Sequence, residues 1–136
     1  MPIVDASVIV ALMNPNEAEH KPCRAWLSQT LLAGEQIVAP AIVLAEVGAA
    51  LSRGQPDPAL AQRAIAFLSQ ETLIQLQPLA VELIRRAAAI AIENRIRGCD
   101  AAYVALAEQL ATELVTLDRQ QLDRGAAVVT TKRPFA

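Results

Sequence analysis

The sequence predicts a single α/β domain, residues 1–136, in which a central parallel sheet of four to five strands carries helices on both faces. This length suffices for one domain with its own hydrophobic core. Short β-branched segments alternate with longer helical segments, and that alternation is typical of parallel sheets. Apolar residues make up 54% of the chain and aromatic residues only 3%. We therefore expect a core of Ala, Leu, Ile and Val side chains between closely packed elements.

The first half of the chain should contain two strands and three helices. In order, we expect a strand at 2–4, a helix at 7–12, a turn at 14–16, a helix from about 21 to 33, a strand at 36–39 and a helix at 41–53. Gly34 and Gly54 are placed to end the second and third helices, because glycine readily adopts the left-handed conformation that follows a helix. Pro40 is expected at the first position of the third helix, where its missing N–H leaves no helical bond unmade.

The second half continues the alternation and adds a pair of alanine-rich helices. We expect a turn at 55–58, a helix from 58 to about 70, a strand at 72–76, helices at 80–94 and 100–111, a strand at 113–116, a short helix near 119–124 and a strand at 127–130. Asp57 and Pro58 are well suited to cap and begin the helix that they precede. The buried face of the helix at 80–94 is predicted from apolar residues at helical spacing: Leu83, Ile84, Ala87, Ile90 and Ala91.

Charge and hydropathy exclude some classes of protein. The net charge of −2 gives the chain no overall basic footprint for nucleic acid, although a metal-dependent site can present positive charge that a residue count misses. Asp5 interrupts any apolar N-terminal segment, which argues against a signal peptide. No apolar run reaches the length of a membrane span. These observations favour a soluble cytoplasmic protein.

Four of the fourteen acidic residues differ from most of the others, which lie in polar segments. Asp5 follows the first strand, Asp100 begins an alanine-rich helix, and Asp118 follows the fourth strand. Glu46 is predicted in mid-helix, and its neighbours on adjacent turns are all apolar: Ile42, Val43, Ala49 and Ala50. A glutamate in such surroundings faces the protein and not water.

These acids have two interpretations. Asp5, Asp100 and Asp118 can each be an ordinary helix N-cap, because each precedes or begins a helix, but a mid-helix Glu46 cannot. Alternatively, the carboxyl ends of parallel strands share one edge of the sheet, and the four acids converge there. Gathered carboxylates repel one another unless a hard cation binds them. Mg²⁺ or Mn²⁺ fits best, since no His or Cys cluster favours a softer metal.

Other polar residues lie close to these acids in the sequence. Ser7 and Thr116 are two residues from Asp5 and Asp118, so their hydroxyl groups can orient those carboxylates or a metal-bound water, and Ser7 can alternatively help to cap the first helix. Glu108 lies eight residues beyond Asp100, about 12 Å along a helix, which is too far to share one ion. Asp123, five residues beyond Asp118, is a candidate accessory ligand.

With these positions assembled, the chain resembles the PIN-domain ribonucleases and, among them, the VapC toxins of toxin–antitoxin pairs. The resemblance covers essentially the whole chain and is carried by four segments: 3–7 (IVDAS), 40–47 (PAIVLAEV), 97–107 (RGCDAAYVALA) and 114–118 (LVTLD). It implies a sheet with the first strand at its centre. It also implies that Asp5, Glu46, Asp100 and Asp118 are catalytic acids that bind Mg²⁺ or Mn²⁺, with Ser7 as the polar residue near the first acid. The implied reaction is hydrolysis of phosphodiester bonds in single-stranded RNA.

The resemblance also implies partners: the RNA substrate, a cognate VapB-like antitoxin that lies over the active-site groove, and a second copy in a homodimer. We expect the antitoxin groove along the helices at 17–33 and 41–70. An acidic pocket repels RNA, so basic residues around it should help to bind the substrate. Four arginines near the acids are candidates, although each can equally be solubilising surface charge: Arg95, Arg97, Arg119 and Arg124.

Two other classes of function stay open. One is a catalytically inactive PIN-like binding module. The other, less well supported, is a metal-dependent phosphatase or phosphotransfer domain. A haloacid-dehalogenase-type phosphatase needs a second aspartate two residues after the first, and Ser7 occupies that position. A receiver domain needs an aspartate after the third strand, where residues 75–79 are QLQPL.

Overall fold

The computed structural model describes residues 1–53 and 57–135. The elements of these residues are β1 (Ile3–Val4), α1 (Ala6–Met13), α2 (His20–Leu32), β2 (Ile37–Pro40), α3 (Val43–Arg53), α4 (Pro58–Ser69), β3 (Ile74–Gln77), α5 (Val81–Asn94), α6 (Gly98–Gln109), β4 (Leu114–Val115), α7 (Arg119–Gly125) and β5 (Thr131–Lys132). The predicted helix stop at Gly54 and the first two residues of the predicted turn at 55–58 lie outside the described residues. Within the described ranges, no helix is both long enough and apolar enough to cross a membrane.

The sheet confirms the predicted parallel α/β fold. Over the described part of the chain, five strands lie in the order β3-β2-β1-β4-β5, all parallel, and seven helices flank them. In the central strand, Ile3 pairs with Val38 on one side and Leu114 on the other. The chain extends the sheet from β1 to β3 on one side and then returns to place β4 on the other side of β1. In open α/β sheets, ligands bind at the carboxyl ends of the strands where the order reverses in this way.

Helix α6 is packed into the middle of the molecule. Every residue from 101 to 107 is buried, and the helix contacts α5 as well as β1, β2 and β4. Alanine occupies positions 101, 102, 105 and 107, and these small side chains let the backbones of the neighbouring elements approach closely. The start of α6 is therefore held in a fixed position relative to the ends of β1 and β4.

Two predicted boundaries were wrong. Pro40 does not begin a helix: it is the last residue of β2 and pairs with Gln77. Helix α3 consequently starts at Val43, so Glu46 lies in its first turn and not in mid-helix. The predicted strand at 127–130 is also displaced, because the backbone turns back onto α7 there, with the N–H groups of Val128 and Val129 donating to Gly125. The fifth strand forms only at Thr131–Lys132.

Two isoleucines on α5 test whether the described core sets stability. Ile90 is fully buried and Ile92, two residues later, is 81% exposed. We expect Ile90→Ala to lower the free energy of unfolding by about 2–5 kcal/mol, because it removes buried methyl groups and leaves a cavity. The same change at Ile92 should alter it by less than about 0.5 kcal/mol. Urea denaturation of both variants measures this, and equal losses would contradict the described packing of α5.

Candidate active site

Asp5 lies at the carboxyl end of the central strand and caps α1. Its carboxylate is 4% exposed. One oxygen, Oδ1, accepts hydrogen bonds from the backbone N–H of Ser7 at 3.1 Å and of Val8 at 3.4 Å, and from the Ser7 hydroxyl. The other oxygen, Oδ2, accepts from the hydroxyl of Thr116, which is itself fully buried. Of the two predicted roles of Ser7, the structure therefore contains one: its hydroxyl orients the carboxylate, whereas the residue that caps α1 is Asp5 itself.

Burial dominates the electrostatics of Asp5. Desolvation raises the pKa of its carboxyl group from 3.8 to about 6, although hydrogen bonds from Ser7, Thr116 and Val8 act in the opposite direction. The nearby carboxylate of Asp100 raises that pKa further. Among the described residues, Asp5 is in none of the salt bridges. Its charge is thus supported by dipoles alone, and a cation close to it would stabilise the ionised form.

Asp118 is tied to Asp5 through Thr116. It caps α7, where its Oδ1 accepts from the backbone N–H of Gln120 at 2.8 Å. Its own backbone N–H donates to Thr116 Oγ1 at 3.0 Å, and that same hydroxyl donates to Asp5. The Ser7 hydroxyl accepts from the backbone N–H of the residue after Thr116 at 3.0 Å. Two hydroxyl groups therefore join the N-termini of α1 and α7. Ser7 orients Asp5 as predicted, but Thr116 orients the carboxylate of Asp5 and not, as predicted, that of Asp118, from which it accepts only the backbone N–H.

Asp100 lies in the first turn of α6 but does not cap it. The helix begins at Gly98 with Arg97 at the N-cap position, so the capping interpretation is wrong for this acid. Its Oδ2 accepts from Arg97 Nε at 3.0 Å, while Arg97 Nη2 lies 3.7 Å from Asp118 Oδ2. The side chains of Asp100 and Asp118 are 17% and 31% exposed. One guanidinium group thus contacts two of the predicted acids.

Glu46 is held by Tyr103, which was not among the predicted site residues. Tyr103 is fully buried on α6 and its hydroxyl donates to Glu46 Oε1. Burial, the bond to Glu46 and the carboxylates of Asp5 and Asp100 all raise the pKa of Tyr103 above its usual range, so the hydroxyl keeps its proton and remains a donor. Its spacing of three residues from Asp100 is the signal that points to it, because such residues share a helix face.

All four predicted acids therefore lie at the N-termini of helices and in one region. Asp5 and Asp118 are N-caps, while Glu46 and Asp100 lie in first turns. The positive end of each helix dipole favours a negative charge at that place. Capping and convergence, which were considered as alternatives for Asp5 and Asp118, occur together.

The acids are near one another without forming a ready metal cage. In residues 1–53 and 57–135, no three His, Cys, Asp or Glu side chains stand close enough together to hold a metal ion. Each carboxylate is instead held by a donor from the protein: hydroxyl groups at Asp5 and Glu46, and a guanidinium at the other two. The donor set consists of carboxylate and hydroxyl oxygens, which is the chemistry that Mg²⁺ and Mn²⁺ prefer.

A buried side-chain amide donates a hydrogen bond to the backbone of Asp100. Gln121 on α7 is 1% exposed, and its Nε2 donates to the backbone carbonyl oxygen of Asp100 at 3.2 Å. Its Oε1 is buried without a hydrogen-bond partner in the described part of the chain. This residue was not predicted, because nothing in a local sequence pattern shows that a glutamine on a short helix reaches another helix.

The other acids and arginines named from the sequence differ in exposure and in the partners that they bind. Glu108 forms a bidentate ion pair with Arg86 at 2.7 and 2.9 Å, which agrees with its exclusion from the site. Asp123 is exposed on α7, as is Arg119. Arg124 donates to the backbone carbonyl oxygen of Arg95 at 2.5 Å and so braces α7 against the connection between α5 and α6.

The buried charge of Asp5 predicts a pH-dependent stability in the absence of metal. Because the pKa is raised from 3.8 to about 6 in the folded protein, the folded state binds more protons between those values, and stability falls as pH rises through them by up to about 3 kcal/mol. Asp5→Asn removes this effect while keeping a good capping residue. We expect the variant to gain stability relative to the parent between pH 4 and pH 7.

Urea denaturation in the presence of a chelator measures that difference. Asp57→Asn is a matched control, because Asp57 is an exposed N-cap that accepts from the Leu60 N–H at 3.0 Å, and its stability difference should stay nearly constant with pH. If the stability difference between Asp5→Asn and the parent were also constant with pH, burial would not be destabilising the ionised carboxylate of Asp5. Unfolding of Asp5→Asn would show that capping is its dominant role.

Comparison with known proteins identifies the family to which the chain belongs. The model of the PIN domain family matches residues 3–127. Ribonuclease VapC3 from Pyrobaculum aerophilum is 32% identical over 132 residues, covering 94% of this chain and 97% of that protein. The structure of Mycobacterium tuberculosis VapC20, described as a toxin that cleaves the sarcin-ricin loop, covers 96% of this chain and 97% of its own, with a TM-score of 0.77 and 20% identity.

A toxin–antitoxin complex from Klebsiella pneumoniae contains a further similar structure, which covers 99% of this chain and 98% of its own, with a TM-score of 0.73 and 18% identity. The structural matches establish the fold. The family match extends over most of the chain and includes all four acids. This chain belongs to the PIN domain family, among its VapC-type members.

Proposed function

We propose that this protein is a metal-dependent endoribonuclease and the toxin of a type II toxin–antitoxin pair. The observation that carries the proposal is the buried carboxylate of Asp5 at the point where the strand order reverses, with its pKa raised to about 6 by desolvation. Three more acids lie around it at helix N-termini. The relationship to a protein named as a VapC ribonuclease supports the choice of reaction.

We infer that Asp5, Glu46, Asp100 and Asp118 hold Mg²⁺ or Mn²⁺. The oxygen donors fit a hard divalent ion, and the desolvated charge of Asp5 favours its binding. For the ion to bind, the carboxylates must come closer together than they are in the present arrangement. With these four residues as its ligands, such an ion would supply a water of lowered pKa and would neutralise charge on phosphoryl oxygens.

The protein's own side chains orient the acids in this proposal. Ser7 and Thr116 fix the two oxygens of Asp5, so that its orientation is set before any ligand arrives. Tyr103 does the same for Glu46 through its protonated hydroxyl. The substrate is single-stranded RNA, whose phosphates the arginines at the rim attract against the net negative charge of the chain.

The structure supports a phosphatase or phosphotransfer domain less well than a nuclease. A phosphotransfer site of the receiver type needs a carboxylate after the third strand, and β3 ends at Gln77 with Pro78 and Leu79 following it. A phosphatase of the haloacid-dehalogenase type needs a second acid at position 7, where the serine is engaged with Asp5. An inactive binding module would keep the acids but show no cleavage, so an activity measurement separates it.

We expect the purified protein to cleave single-stranded RNA in Mn²⁺ or Mg²⁺ but not in a chelator. Asp5→Asn should lower the cleavage rate at least about a hundredfold, because the central ligand is removed. Glu93→Gln, which changes an exposed acid on α5, is the charge-matched control and should cleave as the parent does. Gel analysis of a labelled RNA measures this. Equal activity in the Asp5 variant and the parent, or no activity in either, would contradict the proposal.

The proposed partners are a VapB-like antitoxin and a second copy of the chain. Similar structures solved as toxin–antitoxin complexes support the antitoxin. A cleft of about 260 Å³ lies between the end of α1 and helices α3 and α4. Part of its lining belongs to the segments 17–33 and 41–70, along which we expect the antitoxin groove. Its lining includes both apolar and acidic residues: Val10, Asn14, Asn16, Glu17, Ala50, Leu51, Asp57 and Leu60. This lining suits an apolar segment with basic flanks.

The toxin assignment predicts a growth phenotype. We expect expression of the chain alone in a bacterial host to arrest growth, and expression of Asp5→Asn to be tolerated at the same protein level. Co-expression of a small upstream open reading frame, where an antitoxin would be encoded, should restore growth with the parent. Growth curves with immunoblots measure this. Harmless accumulation of active enzyme without a partner would count against a toxin.

A further inference from the structure

Arg97 lies between two of the acids of the site. Its Nε lies 3.0 Å from Asp100 Oδ2 and its Nη2 lies 3.7 Å from Asp118 Oδ2. These acids belong to the N-termini of two different helices, α6 and α7. The charge of Glu46 is also close enough to act on Arg97. A single guanidinium group is therefore near three of the four acids.

The ion pairs of Arg97 are weak enough for another cation to replace its guanidinium group. Its side chain is 74% exposed, and ion pairs at such exposure are weak because water screens them. It occupies the N-cap position of α6 but makes no side-chain capping bond, so its release leaves the start of the helix unchanged. The backbone tethers it to the rim of the site, within three residues of Asp100.

The other three candidate arginines do not combine exposure with ion pairs to the acids of the site. Arg124 is engaged with the backbone carbonyl of Arg95. The side chains of Arg95 and Arg119 are exposed, and neither takes part in the salt bridges of the described residues. Within the described part of the chain, Arg97 is therefore the one of these four arginines whose guanidinium bridges two acids of the site.

We propose that Arg97 is a built-in counter-ion that competes with the divalent metal for Asp100 and Asp118 and, once displaced, binds a phosphate of the RNA. A divalent ion at these carboxylates would repel the guanidinium and take up oxygens that it now contacts, so metal and guanidinium compete there. The displaced guanidinium keeps its charge and its fork of donors, which suit a phosphate group. This proposal rests on the proposed function, and it links RNA binding to metal loading.

Metal titration tests the first half of the proposal without any catalysis. Calorimetric titration of Mn²⁺ into Arg97→Ala should show an affinity about two- to tenfold tighter than that of the parent, the range expected when exposed ion pairs are removed. Arg97→Lys should fall between the two, because one ammonium group cannot span both acids as a planar fork does.

Arg85→Ala is the matched control for that titration. Arg85 pairs with Glu82 at the same i,i+3 spacing and 2.9 Å, and it is 72% exposed, but it lies on α5. The control changes net charge by the same amount and also removes an exposed ion pair, and its Mn²⁺ affinity should match that of the parent. If Arg97→Ala and Arg85→Ala raised the Mn²⁺ affinity equally, the cause would be the change in net charge. That result would overturn the counter-ion role of Arg97.

RNA binding tests the second half. The probe is a short phosphorothioate-linked single-stranded RNA, which is hydrolysed slowly, and binding is measured by fluorescence anisotropy over a series of salt concentrations. In saturating Mn²⁺, Arg97→Ala should reduce the slope of log affinity against log salt by about 0.7, the value expected when the protein neutralises one phosphate fewer. In a chelator, the slopes of variant and parent should agree, because the parent's arginine is then held by the acids.

The outcomes separate this inference from the proposed function. A parent protein that binds no Mn²⁺ would overturn the metal site itself. A parent that binds Mn²⁺ with the same affinity as Arg97→Ala would leave the nuclease proposal intact and overturn the competition. A salt slope that changes equally with and without Mn²⁺ would overturn the transfer of Arg97 from acid to phosphate.

Discussion

The burial of the Asp5 carboxylate is the constraint on which the site depends. Because β2 and β4 flank the central strand, the group at its carboxyl end is removed from water, and only fixed dipoles support its charge. Two backbone N–H groups and the hydroxyls of Ser7 and Thr116 supply those dipoles. They do not offset the missing hydration completely, as the raised pKa shows. A neighbouring cation is the natural remaining source of stabilisation, which connects the packing of the sheet to the chemistry of the site.

The same backbone geometry that caps the helices also assembles the acids. A carboxylate at an N-cap or in a first turn is stabilised by the helix dipole, and four helices begin at this edge of the molecule with an acid in that place. This arrangement gathers like charges without a metal, and donors from the protein hold each of them, with Arg97 shared by Asp100 and Asp118. Arg97 is the exposed member of that set of donors, whereas Ser7, Thr116 and Tyr103 are buried or partly buried.

Much of this arrangement could be predicted from local patterns. The alternation of strands and helices predicts the parallel sheet, and apolar surroundings single out Asp5 and Glu46 among fourteen acidic residues. The boundary errors have a physical cause. Pro40 suits both the end of a strand and the start of a helix, and only the pairing with Gln77 decides between them. The apolar segment near residues 127–129 suits a strand, but its N–H groups turn back to α7.

The sequence by itself determined the order and type of the elements and distinguished the four acids from the others, since periodicity and capping depend on residues a few positions apart. Only the tertiary structure decided the partners of those acids. Thr116 is 111 residues from Asp5, and Tyr103 is 57 residues from Glu46. These pairs form because β4 lies beside β1 and because α6 packs against the sheet with its first turn at the strand ends. Strand order and helix packing are properties of the whole chain, and spacing within one segment does not specify them.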